Sequence, residues 1–130
     1  MRWQKRTVRA VNSTRATLVG ENIRVADTEL TRIVGLLGEP ELVPGDGLLI
    51  VPSQGVHTWG MRFPIDIVVL DKAWNVIAVA HRMRPFRMTR LFWKAAAVLE
   101  LSPGALDCTQ TCVGDTFEFS RADAGRKEDR

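Results

Sequence analysis

The stretch Asp66-Ile67-Val68-Val69-Leu70-Asp71-Lys72-Ala73-Trp74-Asn75-Val76-Ile77-Ala78-Val79-Ala80 decides the fold. Its apolar run at 66–70 suits a strand buried on both faces, where a half-exposed strand would alternate apolar and polar positions. Turn-forming residues follow at 71–75, and a second apolar run at 76–80 returns, so the two strands are expected to pair antiparallel. Asn75 is expected to take any left-handed position in that turn, which leaves Trp74 exposed.

Outward from this hairpin the chain reads as further short strands separated by turn residues. Residues 7–11 and 16–19 flank Asn12-Ser13, residues 22–26 alternate as a half-buried strand, and residues 48–51 form a buried strand closed by Pro52. Residues 98–101 are a strand that the preceding alanines make ambiguous with a helix. Residues 116–119 place Phe117 and Phe119 on one face. Only one segment changes period: Leu30, Ile33, Val34 and Leu37 predict a helix over 28–37, with Asp27 or Thr28 to cap it and Gly38 to end it. The fold class is α+β, predominantly β, a bent or barrel-like antiparallel sheet with one main helix packed on it.

The length of 130 residues suits one compact domain, expected over 1–120, with the charged residues 121–130 as a disordered tail. A composition of 45% hydrophobic and 25% charged residues excludes an intrinsically disordered chain. No apolar run is long enough to cross a bilayer, and the N-terminal residues lack a secretory h-region, so the expected location is cytoplasmic unless a leader has been removed. Cys108 and Cys112 are too few for a disulfide framework and lack a second ligand pair for zinc; buried or idle thiols are expected, with a local disulfide or redox pair as the alternative.

Chemistry-bearing residues concentrate just before the hairpin, in Val56-His57-Thr58-Trp59-Gly60-Met61-Arg62-Phe63-Pro64-Ile65-Asp66. In an extended segment His57, Trp59 and Met61 share a face, with Thr58 opposite. Arg62 is positioned to pair with Asp66 across the bend or with Glu100, and Phe63–Pro64 is a candidate cis bond. The candidate ligand-binding residues are therefore His57, Trp59, Met61, Arg62, Asp66 and Glu100, of which His57, Trp59 and Asp66 are expected to converge on one concave surface. The plainer alternative is a core stripe with a structural histidine. With no second histidine nearby, no metal or cofactor is expected. Asp115 reads as a turn residue bonding local backbone.

The formal charge of +3 is unevenly distributed, and residues 81–94 contain no acid. Arg82, Arg84, Arg87, Arg90 and Lys94 alternate there with aromatics and methionines, a composition that suits a phosphate backbone, an anionic membrane surface or an acidic protein. Pro85 opposes a continuous strand, so residues 82–94 are expected to form a protruding, partly mobile arm. A solvated loop is the bland reading.

Taken in order, residues 28–37, Gly47-Leu48-Leu49-Ile50, residues 57–66, residues 98–104 and Val113-Gly114-Asp115 resemble the family called domain of unknown function 192, over about residues 27–119. The resemblance implies a small, mainly β bacterial or archaeal domain with no agreed activity, substrate or cofactor.

Three functions from different classes fit these residues. The first is a non-catalytic domain binding a small molecule, glycan or peptide around His57, Trp59, Met61 and Asp66. The second is a hydrolase-like enzyme using His57 and Asp66 in acid-base work, although no nucleophile elbow, Cys-His signature or phosphate loop accompanies them. The third is an interaction module using the basic arm. Nucleic acid is disfavoured as its partner by the lack of a recognition helix or RNA-binding signature. Catalysis is expected to be absent, and oligomeric state is not legible.

Overall fold

The computed structural model describes residues 6–28, 41–58 and 61–121. In chain order its elements are β1 (Thr7–Asn12), β2 (Thr17–Ala26), β3 (Asp46–Ile50), β4 (Ile65–Asp71), β5 (Val76–Met83), β6 (Ala95–Leu101), a short helix α1 (Ala105–Thr109) and β7 (Phe117–Arg121). The strands form one sheet in the order β5-β4-β6-β3-β2-β1-β7. Every neighbouring pair is antiparallel except β2 and β3, which run parallel.

The sheet curls into a half-barrel until its two edges touch. Asn75, just before β5, bridges Thr116, just before β7. Around that bridge Val76 N donates to Asp115 O at 2.7 Å and Phe117 N to Trp74 O at 2.9 Å. The Thr116 hydroxyl also donates to Asn75 Oδ1 at 2.8 Å. Asn75 is thus committed to edge closure, and the left-handed conformation falls to Trp74 instead, at φ 65°. Trp74 is half-buried, not exposed as its turn position suggests, because its ring packs on Phe119 with centroids 4.7 Å apart.

Strand β4 is apolar throughout because both of its faces are covered. Val68 and Leu70 point to an inner cluster with Leu49, Leu99, Leu101, Ile23 and Phe117. Ile67 and Val69 point to an outer cluster with Leu48, Ile50, Val98 and Met61. A residue such as Val68, fully buried, contributes roughly 1.5–3 kcal/mol relative to exposure.

Several boundaries differ from expectation. The segments expected at 16–19 and 22–26 are one strand, β2, which follows β1 through irregular register at Ala10. Residues 95–101 are strand throughout, which resolves the helix ambiguity. The cis bond is Val51–Pro52, not Phe63–Pro64. Of the tail expected over 121–130, Arg121 instead ends β7, where it pairs with Val8 of β1, while residues 122–130 and, past Thr28, the helix expected over 28–37 lie outside the described residues. The described helix is α1, too short for any period to announce it.

Candidate functional site

Two long connections leave the sheet, one on each face. The connection between β6 and β7 carries α1 across the inner face, where Leu106 enters the inner cluster. Its anchor is Asp66, which shares the inner side of β4 with Val68 and Leu70 by alternation. Asp66 Oδ1 accepts from Arg82 N at 2.8 Å, and Oδ2 accepts from Gly104 N at 3.1 Å and Leu106 N at 2.9 Å. The carboxylate thereby satisfies backbone donors around the first turn of α1, which no side chain of that turn caps.

Farther along this connection Asp115, almost fully buried, holds the β1–β2 turn. Asn12 Nδ2 reaches it at 2.9 Å, Arg15 Nε at 3.1 Å and Cys112 N at 3.0 Å. Burial alone would raise this carboxyl, but the bonds from Asn12 and Arg15 outweigh it and hold the pKa below the usual value. Asp115 therefore does bond local backbone through Cys112, yet its larger role is long-range. Cys108 and Cys112 are free thiols, both exposed.

The other connection, residues 84–94, joins β5 to β6 along residues 54–58. Thr89 N donates to Val56 O at 2.9 Å, Phe86 N to Thr58 O at 3.1 Å and Phe92 N to Gln54 O at 2.9 Å, while His57 bridges Met88. Thr58 pins the middle of the arm: its buried hydroxyl donates to Arg84 O at 2.6 Å and accepts from Arg87 N at 2.9 Å. Gly55 allows the close approach, since a Cβ there would meet Thr89 Oγ1 at 2.8 Å and Arg90 O at 2.9 Å. The expectation of a mobile arm is corrected by this ladder, because the backbone donors and acceptors that would make a free loop are paired. The arm is also shorter than expected: β5 continues to Met83, so Arg82 belongs to the sheet.

The side chains of this docked arm point largely into solvent. Phe86, Met88, Leu91 and Trp93 are exposed by 68%, 64%, 74% and 92%. The other large exposed hydrophobics among the described residues, Leu18, Val43 and Val113, stand singly elsewhere. Phe92 and Met83 turn inward onto the outer cluster, and Arg90 lies over the Phe92 ring at 4.7 Å.

The expected basic surface divides in two. His81 and Arg82 face Asp107 of α1 at 3.5 and 3.3 Å. Arg84, Arg87, Arg90 and Lys94 have no acidic partner among the described residues. Beside them lies a depression of about 390 Å³ whose lining includes His81, Arg82, Arg84, Arg87, Met83 and Met88.

Of the residues expected to converge, His57 and Asp66 are not brought together. His57 is exposed, Met61 is packed in the outer cluster, and Asp66 lies on the inner face with both oxygens engaged. His57 and Asp66 therefore do not form an acid-base pair. Arg62 is exposed and pairs with neither Asp66 nor Glu100. Trp59 lies outside the described residues. Glu100 shares the outer side of β6 with Val98, between Leu48 and Ile67 on the neighbouring strands. It is 3% exposed, has no hydrogen-bond partner among the described residues, and burial pushes its carboxyl up to about 8. The sequence signals the role of Thr58 through nothing but its placement opposite the His57-Trp59-Met61 stripe.

The model of the family described as uncharacterized ACR, domain of unknown function 192, matches residues 10–119. No curated protein matches the sequence. Among solved structures, a protein of unknown function from Novosphingobium aromaticivorans superposes with a TM-score of 0.75 at 20% identity, covering 88% of this chain and 85% of its own. A Sinorhizobium meliloti protein, described as a proposed transcription regulator, superposes with a TM-score of 0.75 at 18% identity, covering 92% of this chain and 96% of its own. At such identities the likeness carries the fold alone.

Proposed function

The chain belongs to the domain of unknown function 192 family, and from that premise, which brings a fold but no activity, we propose that it is a non-catalytic binding module. Its contact face is the arm 84–94 together with His57, beside which the arm runs. One observation carries this reading: a backbone tied to residues 54–58 presents Phe86, Met88, Leu91 and Trp93 to water between cations that have no acidic partner among the described residues. Scattered exposed hydrophobics need no explanation, but a cluster on an ordered segment marks an interaction surface. Residue types that fold inward elsewhere in the chain are held outward here. A cytoplasmic location is compatible with this reading.

The acid-base reading draws less support, since Asp66 lies on the inner face with its oxygens engaged by the backbone amides of Arg82, Gly104 and Leu106. The binding reading is tested by presenting the full chain with anionic vesicles, single-stranded DNA and polyglutamate in parallel. At least one should bind at low salt, with affinity lost in R84S/R87S/R90S/K94S. Failure of all three, or equal binding by the variant, would overturn it.

A further inference from the structure

Building on the reading of residues 84–94 as the contact face, we propose that this face docks on an anionic lipid bilayer. The occupant follows from four features considered together. First, the exposed apolar set is one tryptophan, one phenylalanine, one leucine and one methionine, interleaved with Arg84, Arg87, Arg90 and Lys94. Large amphipathic and apolar side chains flanked by cations are the composition that settles at the boundary between headgroups and acyl chains.

Second, no acid lies within residues 81–94, so nothing on this segment repels a negative surface. Each basic residue close to an anionic leaflet strengthens binding roughly five-fold. Four such residues together contribute roughly several hundred-fold before any apolar side chain enters.

Third, the arm carries fewer bare backbone groups toward lipid than a free loop would, because four of its amides are already paired. Phe86 N, Thr89 N and Phe92 N already have acceptors on residues 54–58, and Thr58 Oγ1 serves Arg84 O and Arg87 N. A free loop would have to desolvate these groups, whereas a paired one enters an interface with little added cost.

Fourth, the depression beside the arm places Arg84 and Arg87 near His81 and Arg82. A phosphodiester headgroup is the anion a leaflet would offer there, and Arg is suited to hold it by paired N–H donors. Asp107 already answers part of the charge of Arg82 and lies against His81, so Arg84 and Arg87 are the residues left to receive the phosphate. An acidic protein groove would match the charge but would also call for directional polar contacts. The outward side chains of this face, cations aside, are almost entirely apolar.

The test is co-sedimentation of the full chain with vesicles of phosphatidylcholine alone and of phosphatidylcholine with about one-third phosphatidylglycerol, at low and high salt. Binding is expected only to the anionic vesicles. R84S/R87S/R90S/K94S should lose at least about 100-fold in affinity. L91S/W93S should lose at least about 10-fold, and what binding it retains should vanish at high salt. Circular dichroism should find both variants folded, because the altered side chains are exposed. Brominated acyl chains should quench tryptophan fluorescence in the parent and not in W93F.

Equal binding to neutral vesicles, or unchanged binding by either multiple variant, would overturn the proposal. Binding to single-stranded DNA or polyglutamate without binding to anionic vesicles would overturn lipid docking while sparing the binding-module reading. Silence with all of these probes would overturn both.

Discussion

Each face of the curled sheet carries one buried carboxylate and one long connection, and the two faces treat them in opposite ways. On the inner face Asp66 accepts three backbone N–H groups and anchors the connection through α1, whose Leu106 is buried in the core. On the outer face Glu100 has no partner among the described residues, and the connection at 84–94 is docked through its backbone while its large apolar side chains remain in water. Polar groups are satisfied and apolar groups covered on one side; on the other, large apolar side chains stay exposed. Folding alone accounts for the inner face. The exposed side chains of the outer face are the ground for the proposed contact face.

The sharpest way to break this comparison is to remove the inner carboxylate. Asp66→Ala leaves three donors without their acceptor and should cost on the order of 3–5 kcal/mol in denaturant unfolding. A loss under about 1 kcal/mol would place Asp66 among incidental surface acids. Glu100→Gln should act in the opposite direction. With its pKa raised from 4.5 to about 8, Glu100 keeps its proton in the folded state where the unfolded chain releases it. Its contribution is intact below pH 4.5 and is lost as pH rises toward 8, so the wild-type protein should lose stability across that window. Glu100→Gln should flatten the slope and gain on the order of a few kcal/mol at alkaline pH. An unchanged slope would mean that Glu100 is solvated after all.

Smaller effects sharpen the contrast. Asp115→Ala should cost about 2 kcal/mol at neutral pH. Its stabilisation is present above the usual carboxylate pKa of 3.8 and fades as pH falls through the depressed folded value, so the mutant's acid limb should be shallower. Thr58→Val should cost about 1–2 kcal/mol and speed amide exchange in residues 86–89, because its hydroxyl serves Arg84 O and Arg87 N. L91S/W93S should change stability by no more than about 0.5 kcal/mol, since neither side chain is buried. A larger loss would make those side chains part of the core.

The sheet was legible wherever local pattern and tertiary demand agreed. The apolar run of β4, its return in β5 and the paired phenylalanines of β7 each state their burial in their own spacing. Features set by distant partners were not legible. α1 depends on Asp66, far back in sequence, and Trp74 takes the left-handed position because Asn75 is engaged by Thr116. The candidate site was legible in half. Residues 81–94 announced their charge and aromatic content, whereas the motif at 57–66 suggested a common pocket because sequence proximity does not reveal which face of a bend each side chain reaches. His57, Met61 and Asp66 are close in the chain and point to solvent, outer cluster and inner face respectively.

The central claim, an arm ordered by its backbone yet open through its side chains, is tested most directly by hydrogen–deuterium exchange with and without anionic vesicles. The amides of Phe86, Arg87, Thr89 and Phe92 should exchange slowly in the free protein, as their acceptors on residues 54–58 require, and more slowly still when vesicles are added. Fast exchange at these amides in the free protein, unchanged by vesicles, would contradict it.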